Sequence, residues 1–154
     1  MKFLAYGLPI LGIVLGLTAS YADEKKPVGQ QPKKRLADRA MQIHYLEIVT
    51  KEVDAVCASY EAVTGVKFSE PVAALGQART TKLPGGGMLG VRAPLRATEE
   101  PVVRPYWLVD DIEGAFATAV KAGAEAAHPP LEVPGIGTFA IYIQGGNDHG
   151  LWKK

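Results

Sequence analysis

The strongest constraint on this chain of 154 residues is that it writes one pattern twice. Gln42 to Thr50 (QIHYLEIVT) is rich in β-branched and aromatic residues and predicts a strand. Val53, Val56, Cys57, Tyr60 and Val63 then recur at helical spacing, and Gly65 closes the segment at the C′ position. Short strands are expected at Lys67–Ser69, Ala74–Lys82 and, after the Pro84-Gly85-Gly86-Gly87 turn, Met88–Arg92. The order then returns. Val102–Val109 predicts a strand, and Ile112, Ala115, Phe116, Ala119 and Val120 form a helical stripe closed by Gly123. Strands follow at Glu125–Ala127, Thr138–Ile143 and His149–Trp152, with a proline-rich loop at His128–Pro134 and a turn at Gly145-Gly146-Asn147. A repeat of this kind fixes architecture before any single residue does. The expected class is α+β: two βαβββ modules, about 42–93 and 101–152, pairing into a curved mixed sheet around a central cleft, with the helices outside.

The segment before this domain has another character. Lys2 precedes fifteen uncharged residues, Phe3–Leu17, and Ser20-Tyr21-Ala22 offers small residues where a signal peptidase reads. Residues 1–22 therefore read as a secretory signal peptide, which implies a periplasmic or secreted protein with no stable membrane insertion after cleavage. The alternative is a membrane anchor, since Phe3–Ala22 is long enough to span a bilayer, although Pro9 and three glycines weaken it as a helix. Residues 23–40 (DEKKPVGQQPKKRLADRA) have prolines, charge and no apolar period, and read as a flexible charged linker. Charge divides at the same boundary: residues 1–40 carry +4 and residues 41–154 carry −3. The overall +1 removes the electrostatic footprint of a nucleic-acid binder. The single cysteine, Cys57, lies on the apolar side of its helix and is expected to pack in the core.

The stretches IHYLEIVTKEVDAVCASYEAVTGVKFS and YWLVDDIEGAFATAVKAGAEAAHPPLEVPGIGTFAIYIQGGNDHGLW resemble the first and second modules of the glyoxalase/bleomycin-resistance/extradiol dioxygenase (vicinal oxygen chelate) superfamily. The resemblance covers residues 42–152, and it implies a small-molecule cleft between modules and, by resemblance only, a homodimer. It does not fix the reaction, because this fold hosts isomerases, dioxygenases and binding proteins alike. Metal-dependent members place one His, Gln or Glu near the start of each first strand and one near the end of each last strand. Two open positions on such a cation polarise adjacent substrate oxygens. Counting eight residues back from each helix carries these positions onto Tyr45 and Arg104. A strand bulge would substitute His44 for Tyr45. The strand MLGVR offers no metal donor, and in GGNDHGLW the position falls on Gly150, beside His149. A guanidinium where a divalent ion belongs is electrostatically unfavourable, so no cofactor is expected; His44 and His149 are weak metal candidates.

In the register that the resemblance implies, alternation along the strands places Tyr45, Glu47 and Val49 on the cleft face and His44, Leu46 and Ile48 toward the helices. Arg104, Tyr106 and Leu108 face the cleft from the second module. Tyr45, Glu47, Arg104, Tyr106 and Trp152 are thus the candidate ligand-binding residues, joined by Asp148, and Glu47 is the candidate acid–base group. Three functions stay open: an exported protein that binds, or also transforms, a small molecule without a complete metal site; a metal-dependent glyoxalase-type lyase, isomerase or dioxygenase; and a structural or partner-binding domain whose cleft is filled by its own side chains. Glu47 and Arg104 as a purely internal ion pair is the structural alternative. Asp110-Asp111 reads as helix capping, His128 as a loop residue, and Gly85-Gly86-Gly87 as a hairpin turn without the Lys-Ser/Thr of a P-loop.

Overall fold

The computed structural model describes residues 41–154. The signal-peptide and linker expectations, residues 1–40, lie outside the described residues. No helix among the described residues is long and apolar enough to cross a membrane.

Seven strands form one sheet: β1 (Ile43–Val49), β2 (Arg79–Leu83), β3 (Gly87–Arg92), β4 (Val102–Leu108), β5 (Glu125–Val133), β6 (Gly137–Gln144) and β7 (Asn147–Lys153). Their spatial order is β2-β3-β1-β4-β7-β6-β5. The first strands of the two modules, β1 and β4, run antiparallel at the centre, while each last strand, β3 or β7, lies parallel to its own first strand. Helix α1 (Val53–Thr64) joins β1 to the β2–β3 hairpin, and α2 (Ile112–Lys121) joins β4 to β5. The α+β architecture is that expected.

Both helices end and begin for local reasons. Gly65 adopts φ 74° and donates to the Glu61 carbonyl, a left-handed closure that costs glycine little. At the start of α2 the Asp111 carboxylate accepts from the Gly114 N–H, which is the expected cap. Cys57 is buried beneath α1 as expected. Beneath α2, Ile112, Ala140 and Leu151 form a core to which Trp107, Val109 and Phe116 add. The opposite face of the sheet carries a second core of Tyr45, Tyr106 and Trp152, flanked by Phe139, Ile141 and Leu75.

Three expectations are corrected. Lys67–Ser69 is not a strand: the Glu61 carboxylate takes the Phe68 N–H, and one backbone bond from Ser69 to Thr80 remains. Ala74–Lys82 is not one strand. Ala73–Leu75 is a 3-10 turn, and Gly76 and Gln77 at φ 64° and 66° fold Val72 back onto Ala78, so extended structure begins only at Arg79. The first module therefore has three strands where four were expected. Conversely, the expected loop at His128–Pro134 is strand as far as Val133, and His128–Pro130 lies in the middle of β5. Two register shifts, between Ala126 and His128 and between His128 and Leu131, absorb the prolines, and β5 is an edge strand that needs hydrogen bonds on one side only.

Candidate functional site

A cavity of about 760 Å³ opens on the face of the sheet away from the helices, with lining from both modules. Tyr45, Glu47, Arg104, Tyr106, Asp148 and Trp152 all line it. Strand pairing explains the convergence. Glu47 pairs with Gly90 on one side and Arg104 on the other, and Tyr106 pairs with Gly150, so these positions share one face. Phe139 and Ile141 extend the face from β6, and Leu75 and Leu131 supply apolar walls.

Its polar side is a chain of five charged groups that crosses the β1–β4 seam. Arg92 Nε donates to Glu47 Oε1 at 2.6 Å, and Arg104 Nη1 donates to Glu47 Oε2 at 2.5 Å. Tyr106 donates to the same oxygen at 3.1 Å. Outward from this centre, Arg92 grips Glu99 through two bonds of 2.9 and 2.7 Å, and Arg104 grips Asp148 Oδ2 at 2.6 and 3.1 Å. Glu47, Arg92 and Arg104 are 5%, 5% and 6% exposed. Charges buried to this depth persist only when paired and hydrogen-bonded. The sequence reading of Glu47 with Arg104 is correct as a contact but incomplete. Arg92 and Glu99 are not among the residues expected from the sequence, although alternation in Met88–Arg92 places Arg92 on the face that Met88 shares.

Glu99 shows the coupling. Hydrogen bonds from Arg92 first, and the Leu95 N–H second, outweigh burial and hold its carboxyl down at about 2. Its stabilising contribution is complete above the ordinary value of 4.5 and is lost as pH falls toward about 2. Urea melts across that interval should show stability falling with acid, and Glu99→Gln should flatten the slope. An unchanged slope in the variant would remove Glu99 from the account.

The phenols behave differently. Burial first, and the Glu47 charge second, push Tyr45 and Tyr106 well above the usual tyrosine range, so both remain protonated donors. The Tyr45 hydroxyl is buried without a hydrogen-bond partner among the described residues, as are Trp152 Nε1 and His44 Nδ1. All three belong to one stack of rings: Tyr45–Trp152 centroids lie 5.7 Å apart and His44–Trp152 centroids 5.6 Å. Leaving a buried hydroxyl unpaired costs about 1–3 kcal/mol. Tyr45→Phe is accordingly expected to leave the melting temperature of the ligand-free protein unchanged or to raise it, read by differential scanning calorimetry.

His44 requires a correction. It was expected to face the helices, but a bulge between Ile43 and Tyr45 adds one residue to β1, and its ring packs on Trp152 of the cleft-side core. Burial first, and Lys154 second, depress its pKa, so it stands there neutral. It lines an adjoining groove with Ile136, Gly137 and Thr138, not the cavity that holds Glu47. His149 stacks on Tyr142 of the α2-side core, with ring centroids 5.1 Å apart, and lies on the other face of the sheet. His128 does line the cavity, its ring against Phe139 at 4.9 Å.

Tyr45, Arg104 and Gly150, onto which the resemblance carries metal-ligand positions, hold no His, Gln or Glu, and Gly90 pairs with Glu47 in β3 as Gly150 pairs with Tyr106 in β7. A methyl group at position 90 would overlap the Tyr45 hydroxyl, and one at 150 would overlap the Tyr106 ring. Each tyrosine thus lies across the glycine of its module's last strand. Among the described residues, no three His, Cys, Asp or Glu side chains are grouped to hold a metal ion.

Paired modules, central first strands and a shared cleft define the glyoxalase-like fold of the vicinal oxygen chelate superfamily, and this chain has it. No family model matches the sequence. It is 31% identical over 96 residues to a provisionally named glyoxylase, CFP32, of Mycobacterium bovis and of Mycobacterium tuberculosis. The match covers 62% of this chain and 37% of those proteins, so it spans little over a third of their length. Among solved structures, the hypothetical protein BH1468 of Bacillus halodurans superposes with a TM-score of 0.60 at 13% identity, covering 75% of this chain and 96% of that one. Methylmalonyl-CoA epimerase of Mycobacterium tuberculosis gives a TM-score of 0.56 at 14% identity over 72% and 86%.

Proposed function

We propose that the chain is an exported protein that binds a small, largely apolar molecule in the cavity between its modules, without a divalent metal ion. The observation that carries the reading is what fills the metal positions. A high-pKa phenol, a guanidinium and a glycine are not a donor set for a divalent cation, and the two tyrosine rings take the space ligand side chains would need. The apolar walls of the cavity beside one polar strip have the composition of a ligand pocket.

Glu47 has a positioning role in this reading. Both its oxygens accept charge-assisted bonds, which leaves it poorly placed to take a proton from a substrate. The ionic chain holds the cleft walls of the two modules together around the bound molecule. We place the mature protein in a periplasm or outside the cell, as a homodimer.

Native mass spectrometry of untagged protein isolated from its compartment tests all of this. The expected spectrum is a dimer beginning after Ala22, free of stoichiometric metal and carrying a small organic ligand. Near-stoichiometric Zn, Ni, Mn or Fe would replace this reading with a metal-dependent glyoxalase-type lyase, isomerase or dioxygenase.

A further inference from the structure

We infer that the cavity selects an uncharged or cationic ring compound over its anionic counterpart, and that Asp148 sets the preference. The inference rests on the proposal that this cavity binds a small molecule. It follows from the bonding of the polar strip, not from its composition: two arginines on a pocket wall suggest an anion site, but here both are consumed. Arg92 donates to Glu47, Glu99 and the Ala93 carbonyl, and Arg104 donates to Glu47, Asp148 and Tyr106. Neither retains the parallel pair of N–H groups that grips a carboxylate or phosphate. Three carboxylates against two guanidiniums leave this strip with one net negative charge, its centre at Glu47 buried and its two ends, Glu99 and Asp148, only partly open to solvent. Arg96 also lines the cavity but is solvent-exposed, so its charge is screened at the mouth.

The groups left for a ligand have a consistent chemistry. Glu47 and Glu99 have both oxygens engaged, whereas Asp148 receives both Arg104 bonds on Oδ2, and its Oδ1 has no partner among the described residues. His128 Nδ1 lies 2.8 Å from the Pro129 carbonyl, which can only accept, so that nitrogen carries a proton, and in the neutral ring Nε2 is then the acceptor. Two acceptors therefore await donor groups on the ligand. Tyr45, 2% exposed, lines the same cavity with its hydroxyl unpartnered, a buried group that a bound acceptor would satisfy. Tyr106, Phe139 and Trp152 offer ring faces, which attract flat molecules and cations alike. A ring bearing an ammonium group meets the acceptors and the rings, a hydroxyl can in addition accept from Tyr45, and a carboxylate in their place meets Asp148 as a like charge.

Matched triads isolate charge from shape: tryptamine, 3-methylindole and indole-3-propionate, with the corresponding amine, hydrocarbon and acid built on naphthalene and biphenyl. Affinities are read by titration calorimetry and ligand-observed NMR. Within a triad the amine should exceed the acid by about tenfold, equivalent to 1.4 kcal/mol. Asp148→Asn should bring the amine to within about threefold of the uncharged member, and Asp148→Glu should retain the preference. Acids that bind as well as or better than amines overturn the charge rule while leaving the cavity a binding site. An amine preference that survives in Asp148→Asn protein of unchanged circular dichroism overturns the role of Asp148. If no member of any triad binds at millimolar concentration, the proposed function falls and this inference with it.

Discussion

Replacing Glu47 with leucine is expected to lower the thermal midpoint by roughly 15–25 °C, or to prevent folding at growth temperature. The carboxylate is the centre of the polar strip, and its removal leaves Arg92 and Arg104, both nearly inaccessible to water, facing each other without a counter-ion. Breaking a buried pair from one side costs about 3–5 kcal/mol, a large part of the margin by which a domain of this size is stable. The loss should be reversible by design. Combining Glu47→Leu with Arg92→Met and Arg104→Met removes the uncompensated charge, and Glu99 and Asp148, which reach solvent, can remain ionised. The triple variant should regain most of the lost stability in calorimetry, because apolar replacement of a whole buried ionic group is often neutral. A single variant that melts within a few degrees of the parent would mean that the arginines find water, and the strip would no longer count as buried.

The second large effect is expected at Gly150. Alanine there would place a methyl group in the Tyr106 ring, which is confined by Trp152 at 5.8 Å and Phe139 at 6.3 Å between centroids. Forcing a well-packed ring aside costs about 1–3 kcal/mol, and the Tyr106–Glu47 hydrogen bond would be lost with it. Gly150→Ala should therefore be destabilised in urea melts and bind ligand poorly. Adding Tyr106→Leu should restore part of the stability, giving a strongly non-additive cycle. Additivity would show that ring and glycine do not compete for one volume.

How much was legible in the sequence follows from what each signal measures. Strand and helix periodicity report burial on one face, so β1, α1, β4 and α2 are legible directly, and the parity of Tyr45, Glu47, Arg104 and Tyr106 follows once the resemblance sets the register. The bulge at His44 could not, because one extra residue leaves the apolar pattern nearly intact while reversing which face a side chain meets. Pro129-Pro130 argued for a loop because propensity takes no account of position in the sheet. On an edge strand the missing N–H groups need no partner. Arg92 is legible as a residue of the last strand of its module, but nothing in the sequence says that Glu47 needs a second counter-ion. Gly150 reads as a metal position without a donor and Gly90 as part of a strand without one, and nothing in the sequence signals the tyrosine lying across each.

The seam at which β1 meets β4 has a consequence for protein engineering. Nicked between Glu100 and Pro101, the polypeptide would become a complementation pair. The N-terminal fragment would present Glu47 with one of its two guanidinium partners, and the C-terminal fragment would present Arg104 with only Asp148. The N-terminal piece is left one cation short, with two carboxylates on Arg92, and reassembly supplies Arg104 to Glu47, so a split reporter grafted at this point would signal reunion of the two fragments.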